Sequence, residues 1–199
     1  MLSAVVLISG TGSNLRSLLL AAENPLYPVS VLAVGADRAA PGLGHADEFG
    51  VPSFVVEPDR FASKQDWART LFDSIKFWKP DIILLAGFMR ILPVEFVRAL
   101  SPRIINLHPS LLPDFPGAHS VRDALAAGVP VTGATIHVVD EGVDTGPIIA
   151  QREVAVLPGD DEASLHERIK QVERELLVDT LLRIARDEIR LIDLVQKND

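Results

Sequence analysis

Residues 5–15 read Val5-Val6-Leu7-Ile8-Ser9-Gly10-Thr11-Gly12-Ser13-Asn14-Leu15, an apolar run that leads directly into a glycine-containing loop. The run predicts a buried strand, and the helical pattern that begins at Leu15 predicts a helix directly after the loop. The free amides of such a helix start, together with Ser13 and Asn14, can hold an anion. A dinucleotide-binding loop would place a third glycine near position 15, so a single phosphate group fits better. A structural turn with a Ser or Asn cap explains the loop alone about equally well.

The same alternation of strand and helix continues along the chain. Apolar runs typical of strands recur at residues 29–34, 53–56, 82–86, 104–107 and 134–139, and helical patterns cover 15–22, 42–49, 64–78, 93–100 and 121–127. Crossovers of this length predict an α/β fold, a doubly wound and mostly parallel Rossmann-like sheet. Apolar residues three and four apart between Leu165 and Ile184 predict a long C-terminal helix on that sheet. We therefore predict one domain over residues 1–199.

Composition excludes several classes of protein. The 199 residues are 48% hydrophobic and 23% charged, which is typical of a globular chain. The formal net charge of −8 argues against bulk nucleic-acid binding. The absence of cysteine excludes disulfides, thiolate metal sites and cysteine nucleophiles. The longest apolar run, residues 82–89, is too short to span a bilayer, and the first cation, Arg16, comes too late for a secretory signal. We expect a cytoplasmic protein that binds no membrane.

Two polar side chains lie at the end of the strand predicted over residues 104–107. Side chains in a strand alternate, so Asn106 and His108 project to the same side, at the carboxyl end where ligands of open α/β sheets bind. An amide donor beside an imidazole can polarise a carbonyl and stabilise an oxyanion. A polar strand end with two solvated side chains is an equal alternative.

The segment from Asp140 to Pro147 combines acidic residues with glycines. It lacks the later glutamate of a calcium-binding EF-hand loop, and a simple turn is the common role of such segments. An Asp in this segment that lay beside His108 would favour the imidazolium and raise the pKa of His108 above about 6.5.

The remaining histidines have ordinary structural interpretations. His45 and His166 lie on predicted helix surfaces and are expected to be solvated, whereas His119 and His137 are expected to be structural. No spacing of ligands matches a zinc motif, so we predict no metal site.

Four motifs, in order along the chain, resemble one known family. They are residues 7–15, residues 85–92 (Leu-Ala-Gly-Phe-Met-Arg-Ile-Leu), residues 106–113 (Asn-Leu-His-Pro-Ser-Leu-Leu-Pro) and residues 144–147 (Asp-Thr-Gly-Pro). The chain resembles the phosphoribosylglycinamide formyltransferases from Val5 to about Glu188. The resemblance implies transfer of the formyl group of 10-formyltetrahydrofolate, the co-substrate, to the amine of glycinamide ribonucleotide in purine synthesis. A homodimer is compatible with the resemblance.

The resemblance also implies the functional residues. The catalytic residues are Asn106, His108 and Asp144; the nucleotide contacts are Gly12, Ser13, Asn14, Lys170 and Glu173; the folate contacts are Lys64, Met89, Arg90, Ile91, Leu92, Asn106, Asp140, Glu141, Gly142, Val143 and Asp144. Lys64 stands where the family often has arginine, so a planar fork for a carboxylate is missing. The implied division is a nucleotide-phosphate-binding half, residues 1–100, and a catalytic and folate-binding half, residues 101–199. A cis Leu112–Pro113 bond is implied as well.

Three alternatives remain at the level of sequence. A methionyl-tRNA formyltransferase would need an added RNA-binding domain and a basic surface, and a formyltetrahydrofolate hydrolase would carry an N-terminal regulatory domain. A non-catalytic nucleotide-binding module would have no use for the acid pair that His108 and Asp144 form.

Overall fold

Seven strands form one sheet in the computed structural model, which describes residues 1–196, in the order β3-β2-β1-β4-β5-β6-β7. The strands are β1 (Leu2–Ile8), β2 (Val29–Ala36), β3 (Ser53–Val55), β4 (Ile82–Leu85), β5 (Ile104–His108), β6 (Val131–Val138) and β7 (Ile148–Ala155). The helices are α1 (Ser13–Ala22), α2 (Leu43–Glu48), α3 (Lys64–Trp78), α4 (Val94–Leu100), α5 (Ser120–Ala127), α6 (Glu162–Ala185) and α7 (Leu191–Gln196). A short 3-10 helix covers Pro58–Arg60.

The five strands β1 to β5 are parallel, and helices cover both faces of the sheet. Val5, Val6, Leu7 and Ile8 are all fully buried, because successive side chains enter the apolar clusters on opposite faces. One cluster includes residues of α1, α5 and α6, and the other includes residues of α3 and α4. The predicted doubly wound sheet is confirmed.

The last two strands differ from the simple parallel pattern. β6 pairs antiparallel with β5, and β7 pairs antiparallel with β6. β7 was not predicted, because most of its residues are exposed or half-buried and show no regular alternation. α7 and the 3-10 helix are too short to give a periodic pattern.

The long C-terminal helix is confirmed as α6, which spans 24 residues. A reciprocal pair of hydrogen bonds between Asp161 and Ser164 caps its first turn. Its buried side chains include Leu165, Ile169 and Leu177, which pack in the same cluster as β1 and α1. Over residues 1–196, no helix is both long enough and apolar enough to cross a membrane.

Candidate active site

The carboxyl end of β5 opens into a cavity of about 440 Å³. Asn106 and His108 both line this cavity, as their alternation in the strand predicts. The antiparallel register places His137 of β6 directly opposite Asn106. The neighbouring strands β5 and β6 therefore bring an amide and two imidazoles to one wall of the cavity.

Asp144 reaches the same wall from the loop between β6 and β7. Its carboxylate accepts hydrogen bonds from the Gly117 amide at 2.8 Å and from Asn106 Nδ2 at 3.3 Å. His108 Nδ1 lies 3.4 Å from Oδ2, and His137 Nε2 lies 3.5 Å from Oδ1. Asp144, Asn106 and His108, which lie up to 38 positions apart in sequence, thus meet around one carboxylate.

Backbone carbonyls determine where the imidazole protons lie. His137 Nδ1 lies 2.9 Å from the Val138 carbonyl, which can only accept, so Nδ1 carries a proton. In the neutral ring, Nε2 accepts the amide hydrogen of Asn106 at 3.1 Å; in the protonated ring, Nε2 instead carries a hydrogen and faces Asp144 Oδ1 at 3.5 Å. His108 Nε2 likewise lies 2.9 Å from the Phe115 carbonyl and donates to it. The Asn106 amide is therefore oriented with its nitrogen toward His137 and Asp144.

The pKa values of Asp144 and His108 follow from burial and from these contacts. Burial raises the pKa of the Asp144 carboxyl, but the contacts with His137, the Gly117 amide and His108 together lower it to about 2. Burial lowers the pKa of His108 below its ordinary value, although the Phe115 carbonyl and Asp144 act in the opposite direction. The raised His108 pKa expected from the sequence is therefore wrong for the protein without substrate, because the cost of burying a cation exceeds the effect of Asp144.

The loop that carries Asp144 is held by its own polar groups. Asp140 accepts hydrogen bonds from the Gly142 amide at 3.1 Å and from the Thr145 hydroxyl at 2.8 Å. A Cβ at Gly146 would collide with the Val138 carbonyl, so only glycine permits this close passage of two backbones. Asp144 itself has a φ of 55°, in the left-handed region.

A hydrogen-bonded turn directly follows β5 and includes the Phe115 carbonyl, which accepts the hydrogen bond from His108. The Thr135 hydroxyl donates to the Ser110 carbonyl at 2.7 Å and accepts from the Leu112 amide at 3.1 Å. The Leu112–Pro113 bond within this turn is cis, as the family resemblance implies. Ser110 in turn donates to the Asp114 carbonyl at 2.5 Å, so the backbone on both sides of Pro113 is fixed by side chains.

The glycine loop lies at the same edge of the sheet, after β1. Gly12, the N-cap residue of α1, has a φ of 70° and no side chain with which to cap the first turn, so the amides of that turn can bind an anion. Asn14 Nδ2 donates to Glu173 of α6 at 3.0 Å, and Asn14 Oδ1 is buried without a hydrogen-bond partner among residues 1–196. Glu173 is 5% exposed, and burial raises the pKa of its carboxyl. Lys170 lies one turn before Glu173 on α6.

The residues predicted to contact folate fall into two adjoining groups. Met89, Arg90, Ile91, Leu92 and the residues from Asp140 to Asp144 line the cavity that holds Asn106 and His108. Lys64 instead lines a second cavity of about 490 Å³, which shares Met89, Arg90 and Ile91 with the first. The Glu141 side chain pairs with Arg98. The side chains of residues 89–91 therefore form the boundary between the two cavities.

His137 lines the cavity although it was not among the site residues predicted from sequence. Its pattern in the sequence is that of an ordinary strand residue, and it was expected to be structural. The antiparallel register of β6 on β5 places His137 against Asn106 and Asp144. That register cannot be read from a single sequence.

The comparisons with known proteins agree on one family. The sequence model of the formyl transferase family matches residues 2–181. The phosphoribosylglycinamide formyltransferase of Mycobacterium tuberculosis (strain ATCC 25618 / H37Rv) is 50% identical over 188 residues, which are 94% of this chain and 87% of the relative. The chain belongs to the phosphoribosylglycinamide formyltransferase family.

Further similarities support this family membership. The glycinamide ribonucleotide transformylase 1 structure from Symbiobacterium toebii superposes with a TM-score of 0.91 at 38% identity, over 94% of this chain and 89% of that one. The trifunctional purine biosynthetic protein adenosine-3 of Drosophila pseudoobscura pseudoobscura is 44% identical over 195 residues, 96% of this chain but 14% of that protein. The resemblance inferred from four sequence motifs is confirmed.

Proposed function

We propose that this chain transfers the formyl group of 10-formyltetrahydrofolate to the amine of glycinamide ribonucleotide, a reaction of purine biosynthesis. The observation that carries the proposal is the convergence of Asn106, His108 and Asp144 on one wall of a cavity. Membership of the phosphoribosylglycinamide formyltransferases supports the choice of substrates.

The glycine loop is suited to the phosphate of the nucleotide. Free amides of the first turn of α1, with Gly12, Ser13 and Asn14, would bind the phosphate oxygens. The unpartnered Oδ1 of Asn14 and the buried carboxyl of Glu173 would accept hydrogen bonds from sugar hydroxyls. Lys170, on the same face of α6, would add a positive charge.

The two adjoining cavities are suited to the two ends of the folate. Apolar side chains such as Phe88, Leu92 and Val97 line the first cavity and would pack against the ring system, with the loop from Asp140 to Asp144 along one side. Lys64 and Arg90 line the second cavity and would pair with the carboxylates of the folate tail.

In the reaction, the amine nitrogen attacks the formyl carbon and forms a new carbon–nitrogen bond. The formyl oxygen becomes an oxyanion, which protonated His108 and the Asn106 amide would stabilise. The bond to N10 of the folate then breaks, the former amine loses a proton, and N10 gains one. Acid assistance of this kind contributes about 10²–10⁴ in rate.

Asp144 would act through its charge. With a pKa of about 2, its carboxylate is ionised at neutral pH and is a weak base. Burial disfavours the His108 cation, so the negative charge of Asp144 and the developing oxyanion must together stabilise it. The 3.3 Å bond from Asn106 to Asp144 is long, and the formyl oxygen would take over this amide hydrogen in the complex.

The test of this proposal compares acceptors for the formyl group. Purified protein is given 10-formyltetrahydrofolate with glycinamide ribonucleotide, with glycinamide alone, or with water only, and the change in folate absorbance is followed. We expect rapid turnover with the ribonucleotide only, unchanged by a metal chelator. Equal turnover in water would indicate a hydrolase, and saturable binding of both ligands without turnover would indicate a binding module. Either result contradicts the proposal.

A further inference from the structure

Asp37 is a buried carboxylate that lines neither cavity. It follows β2 directly and is 2% exposed. Its neighbours at the same edge of the sheet are Ser9, which follows β1, and residues 86–90, which follow β4. Asp37 therefore lies where the ends of β2, β1 and β4 meet, next to residues 89–91 that separate the two cavities.

The partners of Asp37 connect it to that boundary. Arg90 Nε donates to Oδ2 at 2.6 Å, and Arg38 donates through Nη2 at 2.9 Å and through Nε at 3.2 Å. The Ser9 hydroxyl, which helps to lower the pKa of Asp37, accepts a hydrogen bond from the Met89 amide at 2.8 Å. Ser9, after β1, thus holds the backbone at Met89, and Asp37, after β2, holds the side chain of Arg90.

Arg90 and Arg38 differ in what else they reach. Arg90 lines both cavities, whereas Arg38 lines neither and has a side chain that is 53% exposed. Within residues 1–196, the Arg90 side chain makes its one hydrogen bond through Nε. Both Nη groups of Arg90 are therefore free to bind a ligand.

We propose that Asp37 is a positioning residue for the folate co-substrate. It fixes the Arg90 guanidinium where the two cavities meet, so that the Nη groups receive a carboxylate of the folate tail. This inference rests on the proposed function, because it takes the ligand of these cavities to be a folate.

The physical basis is that a flexible cation is ordered before the ligand binds. Arginine loses much rotamer freedom when it is immobilised, and in this chain the ion pair with Asp37 has already removed part of that freedom. The hydrogen bonds from Arg38 and Arg90, helped by the Ser9 hydroxyl, outweigh the effect of burial and lower the pKa of Asp37 to about 2, so the pair stays charged at neutral pH. Lys64 lines the second cavity together with Arg90 and supplies a further positive charge there.

The experiment measures binding of tetrahydrofolate and of its bis-amide, in which both tail carboxylates are neutral, by titration calorimetry. We expect wild type to prefer the acid, and Asp37→Asn to weaken binding of the acid by about 3- to 10-fold while binding of the bis-amide stays the same. Arg38→Ala, which removes the other arginine from the same carboxylate, should bind both ligands as wild type does.

A second variant keeps the test independent of the folding of Asp37→Asn. Arg90→Lys keeps the charge but loses the fixed guanidinium, so it should show the same loss for the acid, and Asp37→Asn should add no further loss in that background. Wild-type affinity for the acid in Arg90→Lys would overturn the inference, and so would equal losses for acid and bis-amide in Asp37→Asn. Wild type that binds neither ligand would overturn the proposed function together with the inference.

Discussion

At the scale of single residues, the site depends on contacts that only partly follow from sequence. The alternation in β5 predicts that Asn106 and His108 share a side, and the family resemblance adds Asp144. The depth of burial around His108 is a tertiary property, and it reverses the expected direction of the His108 pKa. The place of His137 in the site could not be predicted for the related reason that strand register decides its position.

The first residue-scale prediction concerns the charge of Asp144. Asp144→Asn removes the negative charge 3.4 Å from His108 Nδ1 and leaves a similar shape. The pKa of His108, already lowered by burial, should fall further, and kcat at neutral pH should fall by about 10²-fold or more. Part of the lost activity should return at lower pH, because added protons restore the imidazolium. NMR titration of His108 in both proteins measures the shift.

The control for this change is Asp114→Asn, which removes an exposed carboxylate from the neighbouring turn. It should leave the His108 titration unchanged. A large rate loss in Asp144→Asn with an unaltered His108 pKa would leave Asp144 as a proton carrier or as an organiser of its loop.

The second residue-scale prediction concerns Asn14. Asn14→Leu removes the hydrogen bond to Glu173 and the buried Oδ1. The KM for the nucleotide should rise about tenfold or more with a smaller change in kcat, because these contacts are similar in the ground state and the transition state. Steady-state kinetics with each substrate varied in turn provide the check. A rise confined to the KM for folate would mean that the two ligand sites are assigned the wrong way round.

At the scale of elements, the strands and helices with a buried apolar pattern were the ones that the sequence predicted. Strands buried on both faces, such as β1 and β4, are continuous apolar runs that a sequence reveals directly. α3 was predicted with its observed bounds, because its apolar face is periodic and Ser63 caps its start. β7 shows no pattern of alternation, so neither its presence nor its antiparallel direction could be predicted.

The element-scale prediction concerns the packing of α6. Leu177 is fully buried in the cluster that α6 shares with β1 and α1. Leu177→Ala should lower the free energy of unfolding by about 2–5 kcal/mol, since it leaves a cavity that neighbours fill only in part. Gln171→Ala, on the exposed face of the same helix, should change it by less than about 0.5 kcal/mol. Urea titrations followed by circular dichroism give both values, and equal values would mean that α6 does not pack as described.

At the scale of the whole molecule, the two halves expected from sequence share one sheet and one site. Asn14 from the first half bonds to Glu173 from the second, and Arg90 lines a cavity together with His108. A division of roles between residues 1–100 and 101–199 stays a prediction.

The stability of the whole molecule toward acid includes a contribution from the buried carboxylate of Asp37. The pKa of Asp37 is about 2 against an ordinary value of 3.8, so the folded state holds this proton less tightly than the unfolded state does. The resulting stabilisation, roughly 2 kcal/mol, is complete above about pH 5 and is lost progressively as the pH falls through about 2. In Asp37→Asn, the free energy of unfolding should therefore depend less steeply on pH in that range. A slope equal to that of wild type would contradict the ion pairs assigned to Asp37.

The central claim is direct transfer of the formyl group between two bound substrates. Donor carrying ¹³C in the formyl group is mixed with glycinamide ribonucleotide and excess protein, and the products are followed by ¹³C NMR. We predict that the label appears in the formamide of the nucleotide, with one tetrahydrofolate formed per label and no free formate. Label that appears as formate, with or without the nucleotide, would contradict the claim.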